Sequence, residues 1–318
     1  MDAARRADGG DGLSRVLVTG ASGFIGWRCL EPLRRRGYEV HAVTRRGDEE
    51  PVDGVTWHRA DLLDREQVPG LVEAVRATHL LHLAWYVTPG GLINARENFD
   101  WTEASLQLVR AFQESGGTRI VAAGSAYEYD WRYGYCHEQL TPLAPDTAYG
   151  ACKRALGELI GSFAQISGLS SAWPRIFFLY GPREHPDRLV SSVIRNVLAQ
   201  APAPCSHGEQ IRDYLHVQDA ADAVVAALDS DLQGPVNVGS GRPIALKTLV
   251  GAVGEQLGRP ELIQLGAIPA RANDAPLVVA DVSLLSEALG WSPRYSLDEG
   301  LADTIAWWSE RVTAKATA

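Results

Sequence analysis

The sequence predicts an α/β fold in which helices cover both faces of a doubly wound parallel sheet. Short apolar runs typical of strands alternate with longer amphipathic segments typical of helices through the first half of the chain. Alternation of this kind requires right-handed crossovers, which place consecutive strands in parallel in one sheet. In the second half the strands are shorter, and the stretch from Pro182 to Pro204 interrupts the alternation. The chain therefore predicts a second, smaller domain.

Each element of the first half follows from its local pattern. Apolar runs bounded by glycine or charged residues indicate buried strands, and apolar residues repeating every three to four positions indicate helices. Residues 1–12 show neither pattern and are expected to form a disordered tail. The predicted order is strand Val16–Val18, helix Phe24–Arg36, strand Glu39–Val43, helix Val68–Val75, strand His79–Leu83, helix Asn98–Glu114, strand Arg119–Ala123 and helix Ala148–Ser167.

Composition restricts the partners of this chain. A net charge of −9 argues against a nucleic-acid partner, because phosphate binding needs a concentrated basic surface. No apolar run approaches the roughly 18 residues that cross a bilayer, so no membrane partner is expected. The four cysteines lie far apart without C-x-x-C spacing, which predicts no metal site and favours a reducing, cytoplasmic compartment.

The strongest functional signal is the glycine turn between the first strand and the first helix. Its three glycines are each separated by two residues. Backbone N–H groups at such a turn, together with the partial positive charge of the helix N-terminus, can hold a pyrophosphate. The turn predicts a dinucleotide site, with a simple tight turn as the alternative. Its cofactor-binding residues would be Gly20, Ser22, Gly23, Phe24, Ile25 and Gly26.

Tyr149 and Lys153 form a second signal. They lie four positions apart in one predicted helix, so their side chains share a face. A phenol with a pKa of about 10 is a poor acid-base group at neutral pH until a nearby ammonium stabilises its phenolate. Ser125 lies 24 positions before Tyr149 and follows a predicted strand. These three residues are the candidate catalytic set.

Together the motifs resemble those of the extended short-chain dehydrogenase/reductase superfamily, in particular its nucleotide-sugar epimerases, dehydratases and reductases. The likeness covers about residues 15 to 308 and includes three further stretches, Arg175 to Pro182, Arg212 to Val217 and Gly290 to Arg294. It implies a Rossmann-type sheet with a smaller, discontinuous substrate-binding domain. Residues 13–181 would form the NADP-binding domain and residues 182–318 mainly the sugar-nucleotide domain, with residues 212–240 returning to the first.

The resemblance also locates the cofactor. The adenosine ribose would meet the end of the second strand, where an acidic residue selects NAD and arginine accommodates the 2′-phosphate of NADP. Arg45 and Arg46 stand there, and no acidic residue lies between Val40 and Gly47. NADP(H) is therefore the expected cofactor. Similarity to the family adds further contacts, to the adenine and the dinucleotide, by Asp61, Leu62, Leu83 and Ala84.

The family's chemistry transfers to the catalytic set residue by residue. By this resemblance Ser125 would hydrogen-bond a substrate carbonyl, and Tyr149 would protonate the developing alkoxide. Lys153 would also bind the nicotinamide ribose. Asn98 matches a family residue with a structural or water-relaying role, and a plain helix N-cap is the alternative.

Elimination of water lacks its usual groups. Dehydratases of the family carry an Asp-Glu pair immediately after the catalytic Ser or Thr, whereas Ala126 and Tyr127 stand there in this chain. Glu128 comes one position later, where the alternation of a strand would turn it to the other side.

The resemblance assigns the substrate residues to the second half. Arg212 and Arg271 match arginines that bind a diphosphate, and Asp274 matches a nucleoside-ribose contact, with surface ion pairs as the alternative. Phe178 departs from the family, which often has Asn there. The hydrogen bond of that Asn to the substrate therefore cannot be transferred to this chain.

The expected function is NADPH-dependent reduction of the 4-keto group of a nucleoside-diphosphate 4-keto-6-deoxysugar. A sugar-nucleotide 4-epimerase is the main alternative, followed by a non-catalytic NADP-sensing regulator and a reductase of apolar ketones. The family commonly dimerises, and a homodimer is expected through helices Asn98–Glu114 and Ala148–Ser167. Apolar residues recur on these helices at Trp101, Leu108, Phe112, Leu156, Leu159, Ile160 and Phe163.

Overall fold

A computed structural model describes residues 14–47, 49–88, 90–270 and 274–316, with backbone alone beyond residue 312. The predicted tail at residues 1–12 and the predicted substrate residue Arg271 lie outside the described residues.

The first half of the chain alternates strands and helices as expected. Its strands and helices are β1 (Arg15–Thr19), α1 (Gly26–Arg35), β2 (Glu39–Thr44), β3 (Val55–Arg59), α2 (Gln67–Val75), β4 (His79–His82), α3 (Glu97–Glu114), β5 (Arg119–Ala122), β6 (Gly124–Ser125), β7 (Tyr135–Cys136), α4 (Ala148–Ser167), β8 (Ser170–Ile176) and β9 (Phe178–Tyr180). The second half continues with α5 (Leu189–Leu198), β10 (Ala203–Pro204), β11 (Ile211–His216), α6 (Val217–Leu228), β12 (Gly234–Val238), β13 (Pro243–Ala245), α7 (Leu246–Gln256), β14 (Ile263–Gln264), β15 (Leu277–Ala280), α8 (Ser283–Leu289) and α9 (Leu297–Ala316).

The larger sheet is parallel and doubly wound, which confirms the predicted fold class. Its order is β12-β8-β5-β4-β1-β2-β3, with the short β6 also paired to β8. The strand order reverses beside β1, which pairs with β2 on one side and with β4 on the other. In open α/β sheets ligands bind beyond the carboxyl ends of the strands at such a switch point. The glycine turn begins there, directly after Thr19.

The core of the larger sheet explains why its strands are so apolar. Along β1, Val16 and Val18 belong to the cluster that α1 and α6 cover, whereas Leu17 belongs to the cluster on the opposite face, under α2, α3 and α4. All three side chains are fully buried. A strand buried on both faces has no polar side, and this is the usual pattern of parallel sheets.

A second, smaller sheet follows the order β13-β11-β15-β7, with β9 also paired to β11. The β11–β13 pairing is antiparallel and the others are parallel. The chain then returns to the larger sheet, because β12 pairs with β8 and α6 packs against α1. The division of the chain near residue 181 stays a prediction.

The helices predicted to form a dimer interface bury most of the apolar residues that suggested it. Five of these seven side chains lie in the chain's own core, namely Trp101, Leu108, Phe112, Leu156 and Ile160. The outward apolar surface consists instead of Phe99, Leu159 and Ile166, which are 63%, 49% and 85% exposed. The homodimer stays a prediction, now based on these three residues. Within the described part of the chain, no helix is long and apolar enough to cross a membrane.

Candidate active site

The glycine turn forms a tight backbone cradle at the carboxyl end of β1. Gly20 has a φ of +67°, and a Cβ there would lie 2.7 Å from the backbone N of Ala84. A Cβ on Gly26 would collide with the carbonyl oxygen of Gly20. No side chain caps the N-terminus of α1, and although the N–H groups of Trp27 and Arg28 donate to the carbonyl oxygens of Gly23 and Ile25, the partial positive charge of this helix end is available to an anion. The cradle fits a pyrophosphate, and Leu83 and Ala84 of the neighbouring strand end border it.

The end of β2 carries the two predicted arginines and one acid that the sequence analysis missed. Arg45 and Arg46 are exposed, and neither guanidinium has an ion-pair partner among the described residues. The Thr44 hydroxyl donates to the carboxylate of Glu49, whose other oxygen is buried without a hydrogen-bond partner. This edge of the sheet therefore carries both cationic and anionic groups that an adenosine ribose could meet.

Two further cofactor candidates follow β3 and lie beside β2. The backbone N–H of Ala60 donates to the carbonyl oxygen of Thr44 at 2.9 Å, which brings the next residues to the strand end. Leu62 is buried, and the Asp61 carboxylate accepts from the backbone N–H of Leu63 at 3.1 Å. Both lie at the edge where the resemblance expects the adenine.

Lys153 is buried beneath the candidate site. Its Nζ donates to the carbonyl oxygen of Ala123 at 2.8 Å and lies 3.7 Å from the ring centroid of Trp85. Burial lowers the pKa of Lys153 to about 7, although the negative charge of Glu128 acts to raise it. The Trp85 indole in turn donates to Asn98 at 2.9 Å, so Asn98 fixes this ring rather than capping a helix.

Tyr149 lies in the first turn of α4, where its phenol interacts with the Ser125 side chain. Burial raises the pKa of Tyr149 to about 12, and the interaction with Ser125 acts in the opposite direction. The sequence analysis expected the Lys153 ammonium to favour the phenolate. That expectation does not hold in this structure, because the ammonium faces the Ala123 carbonyl and Trp85 while burial dominates at the phenol.

Glu128 is a buried support for Ser125. One carboxylate oxygen accepts from the backbone N–H of Ser125 at 2.7 Å, and the other accepts from Arg175 Nε at 2.9 Å. The expectation that Glu128 turns away was right, but its reason was wrong. The segment Ala126–Glu128 is a 3₁₀ turn with a capping box, so strand alternation does not apply.

Two of the predicted substrate residues are brought together. Arg212 on β11 is buried and forms an ion pair with Asp274, with an Nη2–Oδ1 distance of 2.5 Å. The resemblance gave them separate contacts on a substrate, whereas the structure neutralises one with the other. The third, Arg271, lies three positions before Asp274 in the part of the chain that the structure does not describe.

Comparison with known proteins identifies the family. The model of the NAD dependent epimerase/dehydratase family matches residues 16–239. The chain belongs to this family. It is an NAD(P)-dependent enzyme of the extended short-chain dehydrogenase/reductase type, and the glycine cradle with its Ser125, Tyr149 and Lys153 neighbours agrees with that membership.

Relatives of this chain are named for several different activities. It is 26% identical to a UDP-glucuronate 4-epimerase of Thermodesulfobacterium geofontis, over 93% of this chain and 96% of the relative. It is 32% identical to a 3-diazoavenalumate denitrifying reductase of a Streptomyces species, over 77% and 82%. The solved structure of the Thermus thermophilus UDP-glucose 4-epimerase in complex with NAD matches with a TM-score of 0.84 and 29% identity, over 92% and 98%.

One more charged residue of this family member escaped the sequence analysis. Arg188, at the start of α5, is exposed, and its positive charge acts to lower the pKa of Tyr149 and of Tyr214. It forms no ion pair in the part of the chain that the structure describes. Only the fold brings residue 188 near residue 149, so no local motif marks it.

No group of three or more potential metal ligands occurs among the described residues.

Proposed function

We propose that this protein is an NADPH-dependent ketoreductase that reduces the 4-keto group of a nucleoside-diphosphate 4-keto-6-deoxysugar. The observation that carries the proposal is the convergence of Ser125, Tyr149 and Lys153: the phenol of Tyr149 interacts with Ser125, and the Trp85 ring contacts both Tyr149 and the Lys153 ammonium. A hydroxyl and a protonated phenol that stand side by side can both donate to one carbonyl oxygen.

The bound dinucleotide would supply the hydride for this chemistry. Ser125 orients the substrate by donating to the carbonyl oxygen, and the Glu128 carboxylate holds the Ser125 backbone in place. Tyr149 retains its proton at neutral pH, since its pKa is about 12, and gives it to the developing alkoxide. Lys153 would hold the nicotinamide ribose of the bound dinucleotide. A phenol that keeps its proton favours reduction over oxidation as the first step.

The preference for NADPH is supported by the end of β2. Arg45 and Arg46 present two exposed guanidinium groups without ion-pair partners among the described residues. A planar guanidinium can bind a 2′-phosphate with two hydrogen bonds, which suits NADP better than NAD. The Glu49 carboxylate lies close by, beside Thr44, and is the group that a 2′-hydroxyl would use.

A sugar-nucleotide substrate is supported by the relatives and by the residues of the second half. Relatives named for UDP-glucuronate and UDP-glucose cover nearly the whole chain. Arg212 with Asp274, and the exposed Arg188, supply charged groups for a diphosphate and a ribose. Dehydration is disfavoured, because Glu128 is bound to Ser125, Trp173 and Arg175 and is not free to move protons.

The experiment is the near-ultraviolet absorbance of NADPH while the purified enzyme meets a 4-keto-6-deoxy sugar nucleotide generated in situ. The proposal expects the absorbance to fall with one NADPH consumed for each 4-keto group reduced. Free keto sugars and apolar ketones serve as controls and should react poorly, since they lack the remote groups that orient the carbonyl.

A 4-epimerase is the second candidate, because the UDP-glucuronate and UDP-glucose relatives are 4-epimerases. An epimerase oxidises and then reduces the same carbon, so it converts its substrate without net consumption of NADPH. Product formation from a 4-hydroxy sugar nucleotide with constant absorbance would establish this candidate and overturn the reductase.

A further inference from the structure

A continuous series of aromatic rings begins at Tyr149. Tyr127 packs edge-on against Tyr149 with ring centroids 5.6 Å apart, and Trp131 lies 4.5 Å from Tyr127. Phe178 lies 6.1 Å from Trp131, and Tyr214 lies 5.8 Å from Phe178. We call Tyr127, Trp131, Phe178 and Tyr214 the aromatic wall. Each of its side chains is half-buried, so part of every ring remains accessible.

A charged pair lies beside the middle of the aromatic wall. The Arg212 guanidinium lies 5.8 Å from the ring centroid of Trp131 and 5.6 Å from that of Phe178. Its partner Asp274 is 2.5 Å away. The rings of Tyr127 and Trp131 therefore connect the candidate proton donor to this charged pair, and Phe178 lies beside the pair. A sugar nucleotide whose carbonyl meets Tyr149 and whose charged portion reaches Arg212 must lay its sugar along these rings.

Trp131 and Phe178 in the middle of the wall offer a sugar few hydrogen-bonding groups, whereas Tyr127 and Tyr214 at its ends carry phenol hydroxyls. The indole N–H of Trp131 already donates to the carbonyl oxygen of Ala126 at 2.8 Å. Phe178 has no polar atom in its side chain, and it stands at the position where the resembled family often has Asn. A sugar hydroxyl turned toward these rings gives up hydrogen bonds to water without replacement, which costs free energy. A C–H group in the same place packs favourably against a ring face.

We propose that the aromatic wall selects a keto sugar with fewer hydroxyl groups than a 6-deoxy sugar retains, that is, a 2,6- or 3,6-dideoxy 4-keto sugar nucleotide. This inference rests on the proposed function and deepens it, because it concerns the substrate class of the same site. Phe178, in the middle of the wall, is the residue that determines the preference. In this proposal the wall contacts the sugar, and the adjoining Arg212–Asp274 pair contacts the nucleotide portion.

The test compares three substrates that carry the same nucleotide: the 4-keto-6-deoxy sugar, its 2-deoxy analogue and its 3-deoxy analogue. The expected result for the wild-type enzyme is a kcat/KM about tenfold higher for at least one dideoxy analogue than for the 6-deoxy parent, in line with the discrimination that an apolar pocket achieves. A parent that reacts as well as both analogues overturns the inference and leaves the ketoreductase intact. If no nucleotide-linked 4-keto sugar consumes NADPH, the proposed function itself fails.

A variant pair locates the preference in the wall. Phe178→Asn should reduce the ratio of dideoxy to parent kcat/KM to near unity, mainly by improving the parent. Tyr133→Asn is the matched control, because Tyr133 lies in the same 3₁₀ turn as Trp131 but is 59% exposed and outside the series of ring contacts. The ratio should be unchanged in that variant. An unchanged ratio in Phe178→Asn, with wild-type melting temperature, would overturn the role of Phe178.

Discussion

The candidate catalytic end and the proposed substrate end of this site are built in different ways. Ser125 and Tyr149 stand where β6 ends and α4 begins, and the buried Glu128–Arg175 ion pair fixes the backbone between them. At the substrate end, by contrast, Trp131, Phe178, Arg212 and Asp274 come from four separate segments around the smaller sheet. The chemistry is thus held by local geometry, whereas the choice of substrate depends on how distant segments meet.

The ion pair beneath the catalytic end shows how firmly it is held. The side chains of Glu128 and Arg175 are 1% and 6% exposed, and Glu128 also accepts from the indole N–H of Trp173. Removing one partner of such a buried pair costs about 3–5 kcal/mol, because the other charge is left uncompensated. The substrate end relies on partly exposed rings and can therefore change with less cost to the fold.

The largest effect is expected at the catalytic end. Tyr149→Phe should lower kcat by on the order of 100-fold or more, because the proton donor is lost. NADPH affinity, measured by fluorescence titration, should stay within about twofold, since the ring and its packing remain. Turnover at the wild-type rate in this variant would show that another group donates the proton.

The next effect belongs to the substrate end. Arg212→Ala should raise KM for the sugar nucleotide at least about tenfold, because a charge-assisted hydrogen bond in a partly desolvated site contributes about 1.5–3 kcal/mol. Steady-state kinetics with saturating NADPH measure it. Arg259→Ala is the matched control, since Arg259 forms an exposed ion pair with Glu261 in the same half of the chain. Equal effects of both variants would remove Arg212 from the substrate site.

Cofactor selection gives a smaller and more selective effect. Arg45→Ala should weaken NADPH binding by about tenfold and leave NADH binding nearly unchanged, because only NADPH carries a 2′-phosphate. Calorimetric titration with both cofactors measures the two losses. Arg35→Ala serves as the control, because Arg35 is an exposed arginine that pairs with Glu31 on the neighbouring α1. Parallel losses for the two cofactors in Arg45→Ala would show that Arg45 does not contact the 2′-phosphate.

The smallest effect is a shift in the pH dependence of kcat/KM for NADPH, through which the Glu128–Arg175 ion pair influences Lys153. Since burial lowers the pKa of Lys153 to about 7, kcat/KM for NADPH should fall as the pH rises above about 7 and the ammonium loses its proton. Glu128 acts to raise that pKa, so Glu128→Gln should move the falling limb to lower pH. A pH–rate series of both proteins measures the shift. A loss of activity with no movement of the limb would mean that Glu128 acts on structure alone.

The lowered pKa of Lys153 also predicts how the melting temperature of the cofactor-free protein depends on pH. The lysine of the unfolded chain keeps its proton to higher pH than the folded one, so burial of Lys153 penalises the folded state most below about pH 7. Lys153→Met should therefore raise the melting temperature of the cofactor-free protein at neutral pH, and the gain should shrink as the pH rises toward 10. A constant difference across this range would contradict the lowered pKa.

Local patterns were sufficient to indicate the glycine turn and the candidate catalytic residues, whose roles stay predictions. Glycine spacing and the Tyr149–Lys153 spacing act within one turn or one helix, so the sequence alone reveals them. The strand β3 was missed because its residues, Val55–Arg59, mix polar and apolar side chains. Glu49 was not predicted because it lies beyond the end of β2, and its contact with Thr44 is made only when the chain folds back.

Properties that depend on burial or distant contacts were not predictable. The pairing of Arg212 with Asp274 joins residues 62 positions apart, and neither segment carries a pattern that specifies the other. The direction of the shift in the Tyr149 pKa depends on the burial of the phenol, which spacing along a helix does not determine. The aromatic wall likewise exists only because the 3₁₀ turn at Trp131 meets β9 and β11.

The most direct test of the central claim follows one hydride. The enzyme is supplied with NADPH that carries deuterium at the transferable position of the nicotinamide and with a 4-keto-6-deoxy sugar nucleotide. NMR of the isolated product should show one deuterium at C4 and a new hydroxyl there, with an equal amount of NADP formed. A product that carries protium at C4, or turnover without formation of NADP, would contradict a net reductase and favour the epimerase.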